Sequence, residues 1–262
     1  MRKHFFLIAL LALSVASCKK DPVQNNNDNG SGNPPPPPPP ATKLLQKMTE
    51  TTNGVSTVYN FVYNDAKQLT AVKTSDNSEE IDFTYDGDGN VVKLENIEPN
   101  FHNIYTYRYE NGVPASGTFK SYERNNGAET LNEDDVIHYD VDNGKVTKIS
   151  MDLTMQQQEV DFVLTYDNNG NVTKIKTDGS DNYTAEFTYG TKKPMFPRVF
   201  KYVLDHAGFS MLFYAKNEVL SQHYDFPGTD NDMATTTQYT YDQSGYILTS
   251  DDGTTKSTFT YQ

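Results

Sequence analysis

A chain of 262 residues with 35% hydrophobic residues and no tryptophan has apolar material for one thin-cored domain or two small ones. Its formal charge of −13, from 35 Asp and Glu against 22 Lys and Arg, excludes a nucleic-acid partner gripped through its phosphates and is accounted for by solubility.

The chain opens with a basic start (Arg2, Lys3), an apolar run from Phe5 to Val15, and the small residues Ala16 and Ser17. That run is too short to span a bilayer, so residues 1–17 read as a secretory leader. Val15-Ala16-Ser17-Cys18 resembles the lipobox of bacterial lipoproteins, which implies cleavage before Cys18 and lipid modification of that residue at the new N-terminus. Cys18 is the only cysteine, so no internal disulfide can form. Loss of Arg2 and Lys3 with the leader takes the charge to −15. Lys19-Lys20-Asp21 is similar to the short charged tethers of surface-exported lipoproteins of the Bacteroidota, with the facing, cell surface or periplasm, left open. Residues 18–42 read as a tether: an Asn-, Asp- and Gly-rich stretch, then prolines from Pro34 to Pro40 in stiff polyproline II, a spacer of about 20 Å.

From residue 43 to 262 one unit recurs. Phe83-Thr84-Tyr85-Asp86-Gly87-Asp88-Gly89-Asn90-Val91 matches Leu164-Thr165-Tyr166-Asp167-Asn168-Asn169-Gly170-Asn171-Val172, and Ile137 to Ile149 reads as the same unit with one extra turn residue. Weaker copies centre on Tyr63, Tyr109, Tyr189, Tyr214, Tyr241 and Tyr261, a spacing typical of repeat architectures. Ile81, Phe83 and Tyr85 alternate with Asp82 and Thr84, the period of a half-buried strand. Asp at the first turn position and Gly at the fourth suit a type I turn ending in positive φ, as in Asp86 to Gly89, Asp167 to Gly170 and Asp242 to Gly245. Each unit is therefore a β-hairpin.

The pattern Tyr-Asp-x-x-Gly-Asn-x-x-x-Ile resembles the YD repeat of the RHS and teneurin family, and also uncharacterised repeat lipoproteins of the Bacteroidota. The resemblance implies hairpin architecture and an extracytoplasmic setting; the terminal protease and cargo of RHS proteins have no counterpart here. The expected fold is all-β, an antiparallel meander of about 16 to 18 strands, curled or closed into a flattened barrel or shell. Because the return strands offer no sustained apolar band, the aromatic face should point inward and the wall should face water. The last strand, Phe259 to Tyr261, should pair with an opening strand near Leu45 to Met48. The apolar stretch Pro194 to Leu212 either caps one end of the shell or plugs it, with the cap preferred.

No nucleophile motif, phosphate loop or metal signature is present, and no cofactor is expected. Asp86 to Asn90 imitates the start of a calcium loop but has Val91 at its sixth position and Ile97 at its twelfth, so turn chemistry explains it. Asp225, Asp230, Asn231 and Asp232 read as a solvated connection, and His102, His138, His206 and His223 lack metal spacing. The expected function is a lipid-anchored envelope or cell-surface module, without catalysis, for an extracellular polymer or partner protein, glycan or surface protein being the candidates. Its contact groups would be aromatics outside the repeat register: Tyr122, Phe196, Tyr202 and Phe226. A structural envelope lipoprotein without a small ligand and a hydrolase assembled across loops are the alternatives. A uniformly Thr- and Lys-covered surface would favour the structural one.

Overall fold

The computed structural model describes residues 42–125, 127–178, 184–206, 208–227 and 232–262. The leader, Cys18 and the proline tether lie outside the described residues.

The strands follow one another as β1 (Leu45–Thr52), β2 (Val55–Tyr63), β3 (Leu69–Thr74), β4 (Glu80–Tyr85), β5 (Val91–Ile97), β6 (Phe101–Glu110), β7 (Val113–Asn125), β8 (Ala128–Asp142) and β9 (Lys145–Leu153). They continue as β10 (Gln158–Tyr166), β11 (Val172–Asp178), β12 (Thr184–Tyr189), a single helical turn α1 (Phe209–Leu212), β13 (Val219–Asp225), β14 (Met233–Thr236), β15 (Gln238–Tyr241), β16 (Ile247–Asp251) and β17 (Thr255–Tyr261). All strands belong to one antiparallel meander, which closes nearly into a barrel where β1 pairs with β17, Leu45 opposite Tyr261 and Met48 opposite Phe259. The terminal strands thus cover each other's edges, as the sequence requires.

A closed ring of antiparallel neighbours must contain an even number of strands, yet seventeen segments are present. β14 and β15 resolve the parity. Only Thr237 separates them, β14 bonds to β13 on one side and β15 to β16 on the other, and the Thr237 amide donates to the Leu220 carbonyl. They are one interrupted wall strand, and the ring closes as sixteen.

The inward face of the ring is the aromatic one. Phe61, Phe83, Tyr105, Tyr107, Phe119, Phe162, Phe187 and Phe259 are buried together with Leu69, Leu94, Ile137, Ile149 and Ile175. Gly117 also faces inward, where a Cβ would meet the Tyr139 phenol at 2.9 Å, so only glycine leaves the room.

The repeat tyrosine links one unit to the next. Its phenol donates to the carbonyl at or near the start of the strand preceding its own repeat: Tyr63 to Leu45, Tyr85 to Leu69, Tyr109 to Val91, Tyr166 to Val146 and Tyr189 to Val172, at 2.6 to 3.0 Å. The following aspartate builds the turn. Asp86 Oδ1 accepts the amides of Asp88 and Asn90 while Oδ2 accepts the Asn90 side-chain amide, and Asp167 holds Asn171 in the same way. Gly89, Gly170 and Gly245 adopt φ of 73°, 85° and 78°, as the turn demands.

Two units depart from the sequence reading. In the Tyr139 unit, Val141 rather than Tyr139 occupies the repeat position, opposite Val146, and Asn143-Gly144 forms a two-residue turn. The Tyr139 phenol instead donates to the Leu204 carbonyl at 2.7 Å. Tyr214 is not on a strand: residues 190–218 form an insertion between β12 and β13, in which Pro194 and Pro197 remove the amides a ladder needs.

That insertion combines the cap and the plug. It enters at the rim where the repeat turns lie, and its polar groups fasten to them: Lys201 Nζ donates to Asn90 Oδ1, and the Lys216 amide to Asn171 Oδ1. Its apolar groups fill the lumen beneath, with Phe200 and Phe213 against Phe83, Phe209 against Tyr105, and His206 among Tyr105, Phe119 and Phe162. Inside it, Asp205 accepts the amides of Phe209 and Ser210, the first two of α1.

If the phenol bonds tie repeat to repeat, Tyr166→Phe should cost about 1 kcal/mol of stability, read from the urea midpoint, whereas Tyr122→Phe on the outer wall should change it by less than about 0.5 kcal/mol. Equal effects would remove the linking role.

Candidate functional site: the acidic end of the lumen

The inward face changes character along the barrel. Toward the rim of the repeat turns it is aromatic and stoppered by the insertion. Toward the opposite rim, the same inward phase carries Thr74, Asn96, Ser121, Thr177, Ser250 and Ser257, all buried. Among the described residues, six carboxylates complete this end: Glu50, Glu79, Glu98, Glu133, Asp135 and Asp252. Each extends the inward alternation of its strand past the last apolar residue, as Glu50 follows Met48 on β1 and Asp135 precedes Ile137 on β8.

No inward position of the described strands carries Lys or Arg, so no strand cation among the described residues faces these acids. Burial is the main cause that pushes all six upward from the ordinary carboxylate range, and neighbouring acids add to it: Asp252 and Glu79 for Glu50, Glu79 for Glu98, Asp135 for Glu133. Glu50, Glu79 and Glu98 together also raise the Tyr59 phenol, after its burial. Asp135 and Asp252 are each 1% exposed; Asp135 Oδ1 accepts the Thr154 amide and Asp252 Oδ1 those of Thr254 and Thr255, while Oδ2 of each has no hydrogen-bond partner. Two small cavities lie here, one of ≈ 30 Å³ beside Glu50 and Asp252 and one of ≈ 50 Å³ beside Tyr59, Glu79 and Asn96.

The outer wall is polar. Cross-strand ion pairs join Lys73 to Glu80, Lys120 to Asp134, Lys148 to Asp161 and Lys174 to Glu186, and threonine hydroxyls pair at Thr106 with Thr118 and Thr240 with Thr249. Exposed pairs of this kind contribute little stability, but charges at mid-wall are costly against hydrocarbon.

The four aromatics singled out in the sequence are not brought together. Tyr122 lies on the outer face of β7 beside the His102 ring at 6.0 Å. Phe196 is inside the lumen between Phe61 and Phe213, and Tyr202 reaches the Gly112 carbonyl at the stoppered rim. Phe226 follows β13 at the opposite rim, where its amide donates to Asp232. Asp230 and Asn231 lie outside the described residues. His102 sits between Glu95 and Glu129 on the outer wall, His138 pairs with Asp152 there, and burial pushes His206 down to about 4. Among the described residues no group of three or more His, Cys, Asp or Glu is placed to hold a metal ion.

With this geometry in hand, comparison with solved structures finds a porin-like protein from Bacteroides vulgatus, 11% identical, with a TM-score of 0.56 over 84% of this chain and 99% of that one. A porin-like protein from Bacteroides uniformis is 14% identical, with a TM-score of 0.52 over 83% of this chain and 96% of that one. At such identity the likeness is one of fold. No family model and no curated relative matches the chain.

An acid raised on folding binds its proton more tightly in the folded state, so its contribution is favourable below the unfolded value of about 4 and is lost as pH rises through the folded value. Glu50→Gln should therefore raise the urea midpoint above that of the wild type near pH 7, and the gain should vanish at or below about pH 4. His206, which runs the other way, cancels in this comparison. A destabilising Glu50→Gln at neutral pH would overturn the assignment.

Proposed function

We propose that this chain is a lipid-anchored, non-catalytic envelope barrel that binds an extracellular polymer or a partner protein at its acidic end, on the cell surface or the periplasmic face. The observation that carries this reading is the sidedness of the wall: aromatics turn in, charges turn out, and residues 190–218 occupy the lumen. A barrel so built stands in water and is attached to a membrane by something else, for which Cys18 and the proline tether supply the means. Porin-like neighbours from Bacteroides support an envelope setting.

Contacts through the wall would have to use threonine, lysine and carboxylate ladders, a surface that favours the alternative of a structural lipoprotein without a ligand. The acidic end favours binding, because its uncompensated carboxylates are costly to fold and do not serve packing. No catalytic step is assigned to them.

Cys18→Ala should shift the protein from the membrane to the soluble fraction, and the lipidated chain should give no conductance in planar bilayers. Membrane retention of Cys18→Ala, or channels in the bilayer, would overturn the anchored-barrel reading.

A further inference from the structure

On the inward faces of β1 and β16, Glu50 and Asp252 border the ≈ 30 Å³ cavity together with Ser250, Thr255 and Ser257, while Met195 and Phe196 of the insertion form its apolar side. A space of that size admits one or two water-sized groups. Asp252 Oδ2 is buried without a partner, and no described residue gives the Glu50 carboxylate a hydrogen bond or an ion pair. Carboxylate oxygens removed from water and left without donors are costly, and a donor-only cation offsets that cost.

Three kinds of cation can be separated by their chemistry. A calcium ion takes six to eight oxygens, and here two carboxylates converge with hydroxyls, short of a metal-holding group. A guanidinium is a wide planar fork made for bidentate pairing. A primary ammonium is compact and offers three donors and no acceptor, matching Asp252 Oδ2, the Glu50 carboxylate and a serine hydroxyl. With Met48 forming the floor beneath it, a slim alkyl chain behind the ammonium would leave through the acidic mouth, where Glu79 and Glu98 continue the negative field.

The geometry points to a primary-ammonium site: Glu50 and Asp252 receive the protonated amine of a ligand, either a diffusible polyamine or a lysine side chain of a partner. This assignment rests on the binding-module reading and names the ligand chemistry of its acidic end.

The test is calorimetric titration of the full chain in neutral detergent with spermidine, with a lysine-rich peptide, and with calcium chloride at matched ionic strength. At least one amine should bind saturably, at least tenfold more weakly in Glu50→Gln and in Asp252→Asn. Asp251→Asn should bind as the wild type does, since that carboxylate faces outward and pairs with Lys256. Both inward variants should keep a urea midpoint at or above that of the wild type, which separates lost binding from lost fold. Tighter spermidine binding identifies a diffusible amine, and tighter peptide binding identifies a partner's lysine. Amine binding indifferent to both inward substitutions, or preference for calcium, would overturn the site. If no amine binds while an envelope fraction or glycan is still retained by the wild-type chain, the ammonium site falls and the binding-module reading stands; if nothing is retained, both fall.

Discussion

A closed sheet sixteen strands around encloses more space than its own inward side chains can fill, and much of this structure follows from how that space is occupied. In one half, a segment of the chain returns into the barrel. Because residues 190–218 enter at the rim of the repeat turns, their backbone and lysines find carbonyls and asparagines already in place, such as Asn90 and Asn171. Their phenylalanines meet the inward rings of β4 and β6. In the other half, beyond Met195 and Phe196, no described segment enters. An apolar lumen left unfilled would forfeit packing, so the inward positions there turn to hydroxyls, amides and carboxylates that water or a ligand can satisfy.

The repeat supplies the means of closure. A hairpin buries its face only against neighbours, so each unit needs a device that fixes the next in register. The phenol bond to the preceding return strand is that device, and the aspartate two-oxygen clamp fixes the turn that aims the tyrosine. Where the unit is altered, the structure shows why. Tyr139 leaves the repeat position and its phenol instead holds Leu204 of the insertion.

Much of this was legible from the residues. Alternation in Ile81, Phe83 and Tyr85 separated the two faces, the sparse apolar content of the return strands pointed the aromatic one inward, and the expected pairing of Phe259 to Tyr261 with Leu45 to Met48 is present. Tyr214 misled because a tyrosine among apolar residues satisfies the repeat spacing whether it sits on a strand or in a filled lumen, and only Pro194 and Pro197 argued for the latter. The acidic end was hidden for a different reason. Glu50, Glu98 and Asp135 look like the polar phase of ordinary strands unless the count is carried through from the aromatic residues, when they fall on the inside. The four off-register aromatics drew attention because exposed rings are the usual contact groups, yet the repeat binds its own rings so thoroughly that an off-register ring is as well explained by stoppering, as for Phe196.

The likeness to porin-like barrels sharpens the point that closure and function are separate properties. A ring of this width can become a membrane channel or a water-surrounded vessel, and the choice lies in which phase of each strand carries the rings. Here the ion-pair ladders of Lys120 with Asp134 and Lys148 with Asp161 lie on the outside at mid-wall, a position that in a membrane barrel would face hydrocarbon. With one end closed by the insertion, the inward charge left uncompensated lies at the other end, which is where the proposed binding role is placed. Acidity at that end is therefore a product of the same strand phase that buries the aromatics, read a few residues further along.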